Sequence, residues 1–164
     1  PALFLSQLAR RLGVVEPTVG LMTGVLMERL VRRTIHVPSL LLECFATVGV
    51  SNALTVGDPA TYEEKPGTIN IVLLVNRSLT DAALVEAVSM ATEAKARALF
   101  DAKVKSSVSA CIATGTGTDC VAVACPTDTP LLQYCGKHTL LGELLGRVTY
   151  EAVMKGLQYA GVLP

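Results

Sequence analysis

The segment CIATGTGTDCVAVACP, residues 111–126, sets three threonines, two glycines and Asp119 directly before a run of small apolar residues. Hydroxyls, backbone N–H groups bared by glycine and one carboxylate can together hold an amide, a carbonyl or a developing oxyanion. A phosphate cradle would need a helix immediately after the glycines and, in a P-loop, a lysine. Here a strand follows and the lysine is missing, so the loop suits neutral polar ligands better. Gly115 and Gly117 are expected to take positive φ in a chain reversal. The same residues also suit a plain hairpin turn in which Thr and Asp bond their own backbone.

A second stretch, YCGKHTLLGELLG at 134–146, puts Lys137 and His138 just before a helical pattern. A histidine there is a candidate general base or acid, or a helix-end residue bonded to a backbone carbonyl. Glu143, five residues on, lies about 140° around a helix from His138 at roughly 3.6 residues per turn, so only loop geometry could bring the two together. Asn52, Asn70 and Asn76 sit at strand ends or beside glycine, where they can shape turns or recognise a substrate amide.

His36 stands alone in an apolar stretch, and the sequence holds only two histidines and five cysteines without a CxxC pair. No metal site built by the protein is expected from that set. The cysteines, Cys44, Cys111, Cys120, Cys125 and Cys135, are expected to be mostly reduced core residues.

The elements that must position these residues can be read from periodicity. Phe4 to Leu12 reads as a short helix ending near Gly13. From Thr18 to Val48 the sequence is apolar with both periods present, and LVRRTIHVPSLLLECFATVG, 30–49, reads as two strands turning at Pro38-Ser39, with helix as the alternative for 24–33. Residues 57–67 form a loop, and TINIVLLVN, 68–76, reads as a strand buried on both faces. Thr80 caps a helix over 81–101, with Leu84, Val88, Ala91, Ala94 and Ala98 as its apolar stripe. A short strand is expected over 104–113 and another over 120–125. Thr139 caps a last helix to about Tyr159, with Leu141, Leu144, Leu145, Val148, Ala152 and Val153 facing inward.

Strands interleaved with two or three long helices predict a single α/β or α+β layered domain over 1–164, a central mixed sheet packed by helices. Hydrophobic residues make up 51% of the 164, with no Trp, which is ample for one core of small side chains. Fourteen basic residues balance fourteen acidic ones without clustering, which argues against a nucleic-acid partner. No apolar run is long enough for a membrane span and no signal peptide is seen, so a cytoplasmic protein is expected. The chain begins at Pro1 without a methionine, so its N-terminus is expected to be shortened.

The pieces LMTGVLMERL (21–30), TVGVSNALTVGD (47–58), INIVLLVNRSLTDAALVEAVSMATEAKARAL (69–99), ATGTGTDCVAVA (113–124) and YCGKHTLLGELLG (134–146) together resemble the adenosylcobinamide amidohydrolases, the CbiZ family of corrinoid salvage. The resemblance spans nearly the whole chain. It implies hydrolysis of the amide between a corrin propionyl side chain and aminopropanol, giving adenosylcobyric acid. It implies a small-molecule corrinoid partner, no required cofactor, and cobalt arriving only inside the substrate. On this basis His138 is expected to act as base on water or on a threonine hydroxyl such as that of Thr118, with Asp119 as its orienter or an alternative base. Thr114, Gly115, Thr116 and Gly117 are expected as oxyanion and substrate contacts, joined by Asn52, Asn76, Lys137 and Glu143. A non-catalytic corrinoid-binding module, a nucleotide-binding protein and assembly into a homo-oligomer stand as alternatives or additions to test.

Overall fold

The computed structural model of the chain describes residues 2–14, 18–60, 66–128 and 131–164. Helix α1 (Ala2–Arg11) leads into an irregular segment with one 3-10 turn at Met27–Arg29. Strands β1 (Val31–Val37) and β2 (Leu40–Val48) follow, then the two-residue β3 (Ala53–Leu54) and β4 (Ile69–Val75). Helix α2 (Asp81–Asp101), β5 (Gly115–Thr116), β6 (Cys120–Ala124) and helix α3 (Leu140–Tyr159) complete the chain.

Four strands form the main sheet in the order β1-β2-β4-β6. The first two pairings are antiparallel, and β4 runs parallel to β6 across the connection that contains α2. The sheet is therefore mixed, as expected. The hairpin of β1 and β2 turns at Pro38-Ser39, and β3 pairs with β5 in a separate antiparallel ribbon.

Helices α2 and α3 cover one face of this sheet. Leu42, Cys44 and Ala46 of β2 and Ile69, Ile71 and Leu73 of β4 are wholly buried against Ala87, Ala91, Leu145, Val148 and Val153. Strand residues alternate between faces, so the even-numbered positions of β4 look the other way. Leu74 there is 37% exposed and Leu41 of β2 is 36% exposed. The expectation that β4 is buried on both faces is thus corrected: α2 and α3 bury its odd-numbered side, while Leu74 on the other side is open.

The helix starts follow from their caps. Thr80 Oγ1 accepts from the Ala83 N–H at 3.2 Å, and Thr139 Oγ1 accepts from the Gly142 N–H at 3.0 Å. Each cap satisfies a backbone donor that the helix itself leaves bare. All six inward residues expected for α3 are buried. The stripe of α2 is rotated from the expected one, with Ala83 and Ala87 buried while Val88 is 40% exposed. Alanine at these positions brings the helix close to its neighbours, which pure hydrophobicity does not reveal.

One other expectation changes. Residues 104–113 make a single bridge, Lys105 to Ile112, rather than a strand. Ser106 Oγ accepts from the N–H groups of Val108 and Ser109, and side-chain bonding of this kind competes with a ladder. Ser106 also donates to Asp58 at 2.6 Å. That hydroxyl, with the Thr55 N–H, holds the Asp58 carboxyl below its ordinary value. Part of the expected 57–67 loop, 61–65, lies outside the described residues.

Candidate active site

At the end of the sheet where β4 and β6 begin, α2 aims Lys95 at Asp119. Lys95 Nζ lies 2.5 Å from Asp119 Oδ2, with the two side chains only 8% and 11% exposed. The same carboxylate accepts from the Thr116 N–H at 3.0 Å on Oδ2 and from the Ile69 N–H at 3.0 Å on Oδ1. Thr116 Oγ1 donates to Oδ1 at 2.5 Å. An ion pair this deep is sustained only when the carboxylate's remaining lone pairs are also filled, and here three further donors fill them.

The hydroxyls continue outward. Thr118 Oγ1 lies 2.6 Å from Thr68 Oγ1, and both Thr116 and Thr118 also face the Gly67 carbonyl, at 3.4 and 3.3 Å. Asn52 closes the cluster from the loop before β3: a Cβ on Gly67 would come 2.9 Å from Asn52 Cγ, and one on Gly117 would meet Asn52 Nδ2 at 3.6 Å. The result is a buried charge pair, one threonine hydroxyl on its carboxylate, and two further hydroxyls at the rim. A hydroxyl, a carboxylate and an ammonium thus stand within hydrogen-bond reach of one another, the kinds of group that acyl transfer uses.

The glycines serve a different purpose from the one expected. Neither Gly115 nor Gly117 has positive φ. Gly115 is needed for room, since a Cβ there would collide with Asp119 Oδ2 and come 2.9 Å from Lys95 Nζ. At Gly117 a Cβ would make only ordinary contacts. Gly115→Ala is therefore expected to disturb the ion pair and cost about 1–3 kcal/mol, and Gly117→Ala to stay within about 0.5 kcal/mol. Chemical denaturation of the two variants side by side checks this, and equal losses would contradict it.

The structure gathers Asp119, Thr118, Thr116, Gly115, Gly117 and Asn52, but it does not gather the rest. Thr114 Oγ1 accepts from the Val56 N–H at 2.9 Å and ties down the loop after β3. Asn76 Oδ1 accepts from the Leu41 N–H at 2.8 Å, at the far end of β4. Lys137 pairs with Glu93 at 2.5 Å and, with Glu143, lines a cleft of about 570 Å³ on the outer side of α2 and α3.

His138 is exposed just before the N-terminus of α3. Near the other end of that helix Gly156 abuts Val48, which pairs with Ile69, the residue that donates to Asp119. At about 1.5 Å per residue the helix separates the two ends by roughly 24 Å. The relay expected between His138 and Asp119 is not assembled.

Lys95 was missed by sequence reasoning, although a signal existed. It falls in phase with Ala91 and Ala98 on the buried stripe, and a charged side chain there demands a counter-charge. Thr68 and Gly67 carried no signal of their own. Burial pushes the Cys44 thiol up to about 12 and that of Cys135 up to about 11, which makes both poor nucleophiles. Cys120 is exposed next to Asp119. Among the described residues no three His, Cys, Asp or Glu side chains gather around a possible metal position, and no helix is long and apolar enough to cross a membrane.

Comparison with known proteins bears on what this cluster does. The family described as adenosylcobinamide amidohydrolase matches residues 1–161. An adenosylcobinamide amidohydrolase of Methanosarcina mazei is 31% identical over 98% of this chain and 76% of its own length. A protein of that same name from Halobacterium salinarum is 35% identical over 68% of this chain and 48% of its own. An uncharacterized protein of Methanocaldococcus jannaschii is 30% identical over 93% of this chain and 68% of its own. No solved structure matches.

Proposed function

The chain belongs to the adenosylcobinamide amidohydrolase family, and from that membership we propose that it cleaves the amide joining a corrin propionyl side chain of adenosylcobinamide to aminopropanol, giving adenosylcobyric acid. The observation that carries the chemistry is the Thr116 hydroxyl, 2.5 Å from an Asp119 carboxylate that Lys95 holds almost out of water.

In this reading Thr116 Oγ1 attacks the amide carbon while its proton passes to Asp119. Thr68 and Thr118 donate to the oxygen on which negative charge develops. The C–N bond then breaks, and the proton held by Asp119 goes to the departing aminopropanol nitrogen. Water cleaves the resulting ester with Asp119 again taking a proton, which returns to Thr116 as the acid leaves. Lys95 stays charged throughout and steadies Asp119. Cobalt takes part only as a component of the substrate.

Mass spectrometry of adenosylcobinamide incubated with the purified chain and a chelator tests the reading. Conversion to adenosylcobyric acid with release of aminopropanol is expected. Tight corrinoid binding without released aminopropanol would make the chain a binding module instead, and activity abolished by the chelator and restored by zinc would overturn the metal-independent chemistry.

A further inference from the structure

Two polar side chains lie buried side by side in the sheet: Thr47 of β2 and Asn70 of β4 are register partners, each 5% exposed. Both bond to the same irregular segment. Asn70 Nδ2 donates to the Met22 carbonyl at 2.7 Å, and Thr47 Oγ1 donates to Thr23 Oγ1 at 3.3 Å. Stability alone does not explain the pair. Asn70 Oδ1 meets no donor among the described residues, and an unpaired acceptor at that depth outweighs the gain from one bond to a loop carbonyl. Polar groups retained against stability gather where a geometry has to be fixed for function. What these two fix is the path of residues 22–25.

That path leads to the candidate active site. Gly49 lies two residues beyond Thr47, and its N–H donates to the Thr68 carbonyl at 3.0 Å. The row that holds Gly49, Thr68 and Thr118 therefore follows the Thr47–Asn70 row at about 6.6–6.8 Å along the strands. The segment crosses from one row to the other. Val25 lies against Gly49, where a Cβ would come 3.0 Å from Val25 Cγ2, and Gly24 lies beside Pro66. Next to Pro66 is Gly67, whose carbonyl faces Thr116 and Thr118.

Within this segment Thr23 is held from two sides. Its Oγ1 accepts from Thr47 Oγ1 and from the Val25 N–H at 3.1 Å, so both lone pairs are engaged. Its own hydroxyl proton meets no acceptor among the described residues, and the side chain is half-buried. An oxygen fixed in this way leaves the proton one direction in which to point, which makes Thr23 an oriented donor one row from the rim hydroxyls.

We propose that Thr23 is a substrate-binding residue, donating this proton to a carbonyl of the corrinoid beyond the scissile amide, with Thr47 and Asn70 as its positioning residues. The proposal rests on the amidohydrolase reading of the neighbouring site. The amide-fringed periphery of the macrocycle supplies neutral carbonyl acceptors, the kind an uncharged hydroxyl suits. Anchored at a second point, the substrate would hold its scissile amide in register with Thr116.

Two measurements on three variants test this: steady-state aminopropanol release, and equilibrium dialysis of adenosylcobinamide counting total corrin absorbance whether or not the amide is cleaved. Thr23→Val keeps the side chain's shape and deletes the hydroxyl. It is expected to raise KM and the dissociation constant about 3- to 10-fold with kcat within about twofold, the mark of binding shared by ground and transition states. Thr23→Ser keeps the hydroxyl and should stay within about twofold of the parent in all three. Asn70→Leu fills similar space, removes the unpaired acceptor and releases the segment. Its melting temperature should not fall, yet KM should rise by about the same 3- to 10-fold, which a merely structural asparagine would not cause. A folded Thr23→Val with the parent's KM and dissociation constant overturns the proposal. So does Thr23→Ser losing as much as Thr23→Val, or a loss in Thr23→Val that falls on kcat alone. Where circular dichroism shows Thr23→Val unfolded, a parent-like KM in Asn70→Leu overturns it instead. A parent that binds corrin but releases no aminopropanol overturns the amidohydrolase reading, and the variants' dissociation constants then support or overturn Thr23 on their own. A parent that binds no corrinoid overturns both.

Discussion

Lys95→Met is expected to lower folding stability by about 3–5 kcal/mol, because it strands the Asp119 carboxylate in a site where both partners were nearly buried. The methionine fills the lysine stem's volume, so the loss reports charge rather than packing. Asp119→Asn in the same background should recover much of that stability. It removes the unpaired charge while leaving a carbonyl oxygen to accept from the Ile69 N–H or from Thr116. Turnover should not recover, because an amide cannot take the Thr116 proton. Urea denaturation of the parent, both single variants and the double variant gives the coupling energy of the pair. Additive losses in that cycle would contradict a buried pair.

The second large effect is expected at Gly142, in the first turn of α3. A Cβ there would run into the carbonyl oxygens of Cys135 and Gly136 and come 2.7 Å from the Gly136 carbonyl carbon. Those atoms belong to backbone that cannot drift, since Thr139 donates from its hydroxyl and its N–H to the Gly136 carbonyl, each at 2.9 Å. The Cys135 N–H is fixed in turn by Glu86 at 2.6 Å. Gly142→Ala should therefore cost about 3 kcal/mol, at the upper end of overpacking penalties. In a chain of this size that lowers the melting temperature by roughly 6–12 °C. A melting temperature within 2 °C or so of the parent would show that the loop before α3 yields easily.

What could be read from sequence and what could not divides along physical lines. Thr80 and Thr139 announced their helices because capping is chemistry between residues three apart in the chain. The hairpin at Pro38-Ser39 was legible for the same reason, as was the apolar run of β4. The partner of β4 was not, because the parallel pairing with β6 joins residues about fifty apart and no local pattern records it. That pairing is also what sets Thr68 beside Thr118.

The ring of donors around Asp119 was half legible. The Thr/Gly loop was visible as a polar cluster, yet Lys95 arrives from a helix turn whose neighbours are alanines, and only the finished packing shows where it points. Gly115 was recognised as necessary for the wrong reason, since the space taken by Lys95 and Asp119, rather than a positive φ, excludes a side chain. His138 drew notice as a histidine before a helix. The sequence could not show that α3 runs the length of the sheet and carries that residue to the opposite end from Asp119.

Whether amide cleavage occurs at the Asp119 end of the sheet is decided by comparing two variants. Aminopropanol release from saturating adenosylcobinamide is measured for Thr116→Val and His138→Ala under identical conditions. Thr116→Val keeps the shape of the side chain and deletes its hydroxyl, so turnover should fall by about 10³-fold or more, as expected for loss of an attacking group. His138→Ala should stay within a few-fold of the parent. The reverse pattern, with His138→Ala inactive and Thr116→Val close to the parent, would contradict the claim and move the chemistry to the N-terminus of α3.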